Sequence, residues 1–352
     1  MQTLLNLSLY SSIVVLCSLI RVAFVPAFPA DIHDESMIGI LAFEPVPLPQ
    51  GAQSRLSELQ YQLQAARERG DTRVEADDLN AIGLLDYANG RFEDAREAFW
   101  NALPLYRSLA SEQEEAEVLM EMGAAFSALG MQEKALDSYK QALPIWNKLD
   151  LAREAATLGK MGEIFRALGD PHEALDFSQG ALPIFVQLGD RAGEAAALNN
   201  IGLAWFAEGN KRKAVDLFHQ AQTIYHTIDD RSGEATALNN AAIAYNSLGN
   251  SQKSLDSFHQ ALEIQEGRGD RKAVAATLDS MGIVYTALGD SMKAHQTYAR
   301  ALSIYRESGD RDGETRMLNN LNRTDLKRDA CKSKPTQEGT PKAFPSLASA
   351  RR

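Results

Sequence analysis

A chain of 352 residues with 45% hydrophobic content and 12 prolines is long enough to bury an extensive core. Its formal net charge of -11 excludes a surface built chiefly to grip nucleic acid, because phosphate binding needs a basic stripe. Cys17 and Cys331, the only cysteines, lie in opposite terminal segments and exclude an internal disulfide framework or a cysteine-based zinc site.

Residues 1–30 read as a signal peptide or apolar leader. Leu4 to Ile20 is largely apolar, Arg21 interrupts it, and Val25-Pro26-Ala27 or Phe28-Pro29-Ala30 ends in a small residue suited to cleavage. The expectation is an exported chain, or one anchored to a membrane through this segment only; the alternative is a cytoplasmic one, since no Lys or Arg precedes the apolar run. Residues 31–51 form a Pro-rich linker, in which Pro45, Pro47 and Pro49 favour an extended spacer. Residues 52–70 are predicted to be an N-terminal capping helix.

From residue 71 the sequence repeats itself. Asp71, Ser111, Asp150, Asp190, Asp230, Asp270 and Asp310 recur every 40 residues, with one interval of 39 that falls in the turn after Leu149. Within a unit the apolar period is helical: Leu198, Ile201, Gly202 and Trp205 fall at i, i+3, i+4 and i+7, as do Leu119, Met122, Gly123 and Phe126. Seven residues after each small residue comes a glycine, at Gly90, Gly130, Gly169, Gly209, Gly249 and Gly289, placed to end the helix in the left-handed conformation. Asp170-Pro171 supplies a capping carboxylate and a first-turn proline for the next helix. That second helix carries small and aromatic residues together, as in Ala214, Phe218 and Ala221, and its alanines are predicted to face the glycine of the first helix. Pro104, Pro144 and Pro183 lie inside three of these second helices and predict local bends.

Leu-x2-Ile-Gly-x2-Trp at 198–205 followed by Ala-x3-Phe-x2-Ala at 214–221 resembles the tetratricopeptide (TPR) consensus. The 40-residue period and the phrase Gly-Asp-Arg-x-Gly-Glu-Ala-x2-Leu-Asn-Asn are similar to the extended repeats of kinesin light chains and bacterial TPR arrays. The resemblance implies an all-α fold, a right-handed superhelical solenoid of antiparallel helix pairs. Six full repeats plus a C-terminal capping helix, roughly Arg311 to Arg328, would then occupy 71–328, and 329–352 would be a basic disordered tail. Asp86 and Ser178 replace expected aromatics, with Tyr87 and Phe177 one position away as substitutes.

No catalytic residues, cofactor or metal site are expected. The six histidines include His219 and His259 at one repeat position, an arrangement that duplication explains as exposed helix surface better than ligation does. Phosphate-loop, HExxH and GxSxG patterns do not occur. The reading is an adaptor that holds a protein or peptide partner and no nucleic acid. The alternatives are a regulatory arm of a separate enzyme and, behind it, an enzyme with an unrecognised helical site. In the resembled family the first helix of each pair lines the concave face. The corresponding positions here are Asn199, Asn200, Leu203 and Phe206, then Asn239, Asn240, Ile243 and Asn246, then Asn319 and Asn320. Amides that both donate and accept suit the backbone of an extended peptide, with Leu203, Phe206 and Ile243 adding apolar grip. The bland alternative is that these asparagines cap helices or bridge repeats.

Overall fold

A computed structural model describes residues 48–332, in which the regular structure is α-helical. The helices are α1 (Gln50–Arg69), α2 (Thr72–Ala88), α3 (Phe92–Ser108), α4 (Glu112–Ala128), α5 (Gln132–Leu149), α6 (Leu151–Ala167), α7 (Pro171–Leu188), α8 (Arg191–Ala207), α9 (Lys211–Thr227), α10 (Arg231–Ser247), α11 (Ser251–Arg268), α12 (Arg271–Ala287), α13 (Ser291–Ser308) and α14 (Arg311–Lys332). The first starts within the expected linker, and the last runs past residue 328 into the segment expected to be tail. The leader and most of the linker lie outside the described residues. The helices divide into two compact units, α1–α10 up to Leu248 and α11–α14 from Gly249. In the first, α2/α3, α4/α5, α6/α7 and α8/α9 pack as pairs, and in the second α12/α13 does; within each unit the second helices also pack on the first helix of the next repeat.

Short-range chemistry marks where most of the helices begin. Asp71, Asp150, Asp190, Asp230, Asp270 and Asp310 accept backbone N–H bonds from the first turn of the helix that follows, and Asp170 does so ahead of Pro171. A good cap stabilises a helix by ~1 kcal/mol. Glycine at the turn inside each pair adopts φ between +77° and +85°, as at Gly90 and Gly209.

The pairing itself depends on missing Cβ atoms. A Cβ on Gly83, Gly123, Gly202 or Gly282 would lie 2.4–2.6 Å from a ring carbon of Phe99, Tyr139, Phe218 or Tyr298. The ring of the second helix, and not its alanine as expected from sequence, therefore lies on the glycine. The alanines beside it are buried too: Ala95, Ala102, Ala214 and Ala221 have no exposed surface. Burying one such ring stabilises the fold by ~2–3 kcal/mol.

The third pair departs from this plan. Ser178 takes the ring's place with its Oγ 2.5 Å from the Cβ that Gly162 lacks, and Phe177 stacks on Phe165 with centroids 5.1 Å apart without filling that place. In the first pair Asp86 is buried where other units hold an aromatic, while Tyr87 packs edge-on against Phe92. The helices α3, α5 and α7 run through Pro104, Pro144 and Pro183 without a break.

Between pairs the left-handed residue is Gly70, Gly189, Gly269 or Gly309, but Ala110 and Asp229 hold φ of 51° and 57° in the same setting. The one-residue deletion at 150 removes that residue, and Asp150 closes α5 and opens α6 alone in an extended conformation. A left-handed alanine is strained by ~1 kcal/mol. Ala110→Gly should therefore raise stability by ~0.5–1 kcal/mol, and Gly202→Ala should lower it by ~1–3 kcal/mol through the Phe218 contact. Urea unfolding of the two variants checks both signs; an equally stable Gly202→Ala would contradict the packing argument.

Candidate functional site

The first helices α2, α4, α6, α8 and α10 follow one another in the first unit, and contacts join α2 to α4, α6 to α8 and α8 to α10. Their stripe of Leu, small and aromatic residues turns inward. The positions beside it fall in two rows: Ala81, Glu121, Lys160, Asn200 and Asn240 in one, and Leu84, Ala124, Glu163, Leu203 and Ile243 in the next. All ten are half-buried.

Hydrogen bonds run along this face from repeat to repeat. Asn200 Nδ2 donates to Glu163 Oε1 at 3.4 Å, and Asn240 Nδ2 donates to Asn199 Oδ1 at 2.9 Å. Asn199 is itself buried. In the second unit the same step recurs, Asn320 Nδ2 reaching Asp279 Oδ1 at 3.4 Å, while Asn319 is exposed. Burial pushes the Asp279 carboxyl up, opposed by Arg316 at 3.7 Å and by the Asn320 bond. Leu203, Phe206, Ile243 and Asn246 keep part of their surface open, as does Asn239, which is engaged in a further contact. The sequence-predicted residues thus lie on one helix type but in two bodies, eight in the first and two in the second. The bridging that sequence offered as their bland alternative is made by Asn199, Asn200, Asn240 and Asn320.

Charge enters the face at α4 and α6. Lys160 Nζ pairs with Glu163 at 2.9 Å, and Arg153 lies 3.9 Å from Glu117. Glu121 keeps some surface in solvent yet sits deep among the helices; burial pushes its carboxyl up to about 7, with Arg153 opposing and Glu117 adding to the rise. Burial likewise lowers the Arg166 guanidinium, against the attraction of Glu163. These charged members were not legible as a group, since Glu121 and Lys160 share a register with amides and an alanine in other repeats, and Arg166 sits in another register, with Phe206 and Asn246.

Away from this face, a second recurrent device ties several helices to the first helix that follows them, though not α7 to α8, where Val186 stands at the clamp position and Glu194 pairs with Arg191. Arg67–Glu75, Arg107–Glu115, Asn147–Glu154, His226–Glu234 and Arg306–Glu314 close at 2.7–3.0 Å. At the equivalent step in the second unit stand Glu266 and Val274; Glu266 turns to Arg300 instead, beside a hollow of about 440 Å³. Arg271 at its rim pairs with Glu307, so its charges are internally balanced. His219, expected on an exposed surface, is half-buried with Nε2 2.8 Å from Tyr245 Oη, a contact of α9 with α10 that repeat position alone does not announce; His259 is exposed. Among the described residues no cluster of three metal-ligating side chains occurs, and no helix is long and apolar enough to cross a membrane.

Two buried acids set a pH dependence. A carboxyl whose value is raised in the fold contributes stability while protonated and loses it as pH rises through the folded value. Burial raises Asp86 to about 6, partly offset by Arg91 at 3.3 Å, and Glu121 to about 7. Stability should therefore fall between about pH 4.5 and 7, and Glu121→Gln should flatten that slope and add on the order of 1–3 kcal/mol at pH 7.5. Melting curves at pH 5 and 7.5 check this; a slope unchanged in the variant would contradict it.

The structure is similar to several solved helical arrays. The apo form of RapI matches with a TM-score of 0.56 at 14% identity, over 73% of this chain and 99% of that one. Aspartyl phosphate phosphatase F from Bacillus subtilis matches at 0.56 and 14%, over 87% and 81%. A Rap protein complexed with Competence and Sporulation Factor matches at 0.54 and 14%, over 81% and 90%. Identities this low speak to the fold. A comparison with curated proteins gives no match. The family model for the tetratricopeptide repeat matches residues 76–148, 153–226 and 233–307, together more than half of the sequence. The chain therefore belongs to the tetratricopeptide repeat family, a family of protein-interaction scaffolds.

Proposed function

We propose that the protein is an interaction scaffold whose first-helix face on α6, α8 and α10 is concave and holds an extended peptide segment of a partner. The observation that carries this reading is the state of the amides. Asn200 and Asn240 are each held by one repeat-to-repeat bond, so their direction is fixed before any ligand arrives. An asparagine amide has two donors and one carbonyl with two lone pairs, so one such bond leaves capacity for a peptide N–H or C=O. Side chains fixed in advance lose less entropy on binding. Leu203, Phe206 and Ile243 flank them with apolar surface that remains partly open, and main-chain hydrogen bonds with adjacent apolar pockets are what an extended segment needs. Bridging and binding are thus compatible roles for the same asparagines. The scaffold reading calls for no catalytic group, cofactor or metal.

Asn200→Ala combined with Asn240→Ala should weaken a peptide selected on the full chain by ~1–3 kcal/mol through lost hydrogen bonds. Helix content should be unchanged, and stability should fall by ~1 kcal/mol per lost bridge. Affinity is read by fluorescence anisotropy and stability by urea unfolding. Equal affinity of the double variant and the parent would move the site elsewhere.

A further inference from the structure

We propose that Arg166 sets the specificity of this face by taking an internal Asp or Glu side chain of the bound segment, an inference that rests on the peptide-binding reading above. Arg166 lies on the last turn of α6, four residues beyond Gly162, in the register that Phe206 holds on α8 and Asn246 on α10. Its side chain is half-buried, and its guanidinium makes no hydrogen bond and no ion pair within 4 Å among the described residues. Glu163, the nearest compensating charge, is already occupied by Lys160 at 2.9 Å and by Asn200 at 3.4 Å. Arg67, Arg73, Arg107 and Arg231, by contrast, each close on a carboxylate.

Repeat architecture does not ask for an arginine here, because the same position holds Tyr87, Ser127, Phe206, Asn246 and Thr286 in other units. A cation taken partly out of water without a partner costs stability, and the cost is recovered when an anion arrives. The planar guanidinium fork accepts a carboxylate through two parallel N–H bonds. A carboxylate fits better than a phosphate, since a single guanidinium stands beside Glu163 on a chain of net charge -11. An internal side chain fits better than a chain end, because α6 meets α4 on one side through Arg153–Glu117 and Thr157–Met120 and packs on α8 on the other. Packed first helices lie ~10 Å apart and an extended chain advances ~3.3 Å per residue, so neighbouring repeats read positions about three residues apart. The segment that fits therefore carries an acidic residue at Arg166, an apolar residue about three positions away over Leu203 and Phe206, and another about three further over Ile243.

The test is a displayed library of random nonapeptides, flanked on both sides so that no free carboxyl terminus is presented, selected on the full chain and on its Arg166→Gln and Arg166→Glu variants. Peptides enriched by the parent should share one Asp or Glu with apolar residues at three-residue spacing. Arg166→Gln should keep the apolar preference and lose the acidic one, and a selected peptide should lose about tenfold in affinity on that variant but nothing further when its own acid is changed to the amide. Arg166→Glu should favour Lys or Arg at that place. The melting temperature of Arg166→Gln should equal or exceed the parent's. Acid-independent enrichment by the parent, an acidic preference that survives in Arg166→Gln, or a melting temperature lowered by several degrees would overturn the assignment. Peptides that bind without an acid yet are lost in the Asn200→Ala, Asn240→Ala variant would overturn it alone, whereas no enrichment at all would overturn it together with the peptide-binding reading.

Discussion

In four of the pairs an aromatic ring of the second helix rests where the first helix has no side chain, and the rest of the arrangement depends on that contact. Phe99 on Gly83, Tyr139 on Gly123, Phe218 on Gly202 and Tyr298 on Gly282 bring two backbones close enough for the ring to be wholly or nearly buried. Neither helix could bury its stripe alone, since a lone amphipathic helix of 17 residues is marginal in water. Once the pair is fixed, the flank of each first helix is held away from the core. Successive pairs then bring those flanks side by side.

The same close approach occurs a second time, between repeats. Gly193, Gly233 and Gly313 lie under Phe185, Tyr225 and Tyr305 at the end of the preceding second helix, where a Cβ would stand 2.2–2.4 Å from a ring carbon. This glycine precedes the Glu of the phrase Gly-Asp-Arg-x-Gly-Glu, whose first glycine is replaced by Asp229 in the unit of Gly233, and that Glu meets His226 and Arg306 as Glu234 and Glu314. One short phrase therefore carries the turn, the helix cap, the ring seat and the clamp. Where Val274 replaces that Glu, the clamp gives way to a hollow and the local charges re-pair.

Most of the helix boundaries were legible because they rest on local chemistry: a glycine that takes positive φ, an Asp that caps, a proline in a first turn. Which partner fills a glycine's space was not legible, because alanine and aromatic lie four residues apart on one helix and sequence spacing does not say which reaches the neighbour. The candidate face was legible as a row of amides, but the bonds that hold the row were not. Asn240 reaches Asn199 across 41 residues and Asn200 reaches Glu163 across 37, pairings that depend on how one repeat is offset from the next. The stress on the same face was equally hidden. Glu121 and Arg166 look like ordinary surface charges in sequence, and only their surroundings show that burial works against both. Leaving the Arg166 guanidinium half-buried with only Glu163 to oppose its burial costs the fold stability.

A partner held by the first-helix face of the first unit, and not by the second helices or the turns, should perturb that face alone. Side-chain amide resonances report this directly. On titration of the full chain with a selected peptide, the NH2 signals of Asn200 and Asn240 should shift, and those of Asn210 and Asn250, which cap second helices, should stay in place. Shifts confined to Asn210 and Asn250, with Asn200 and Asn240 unmoved, would contradict it.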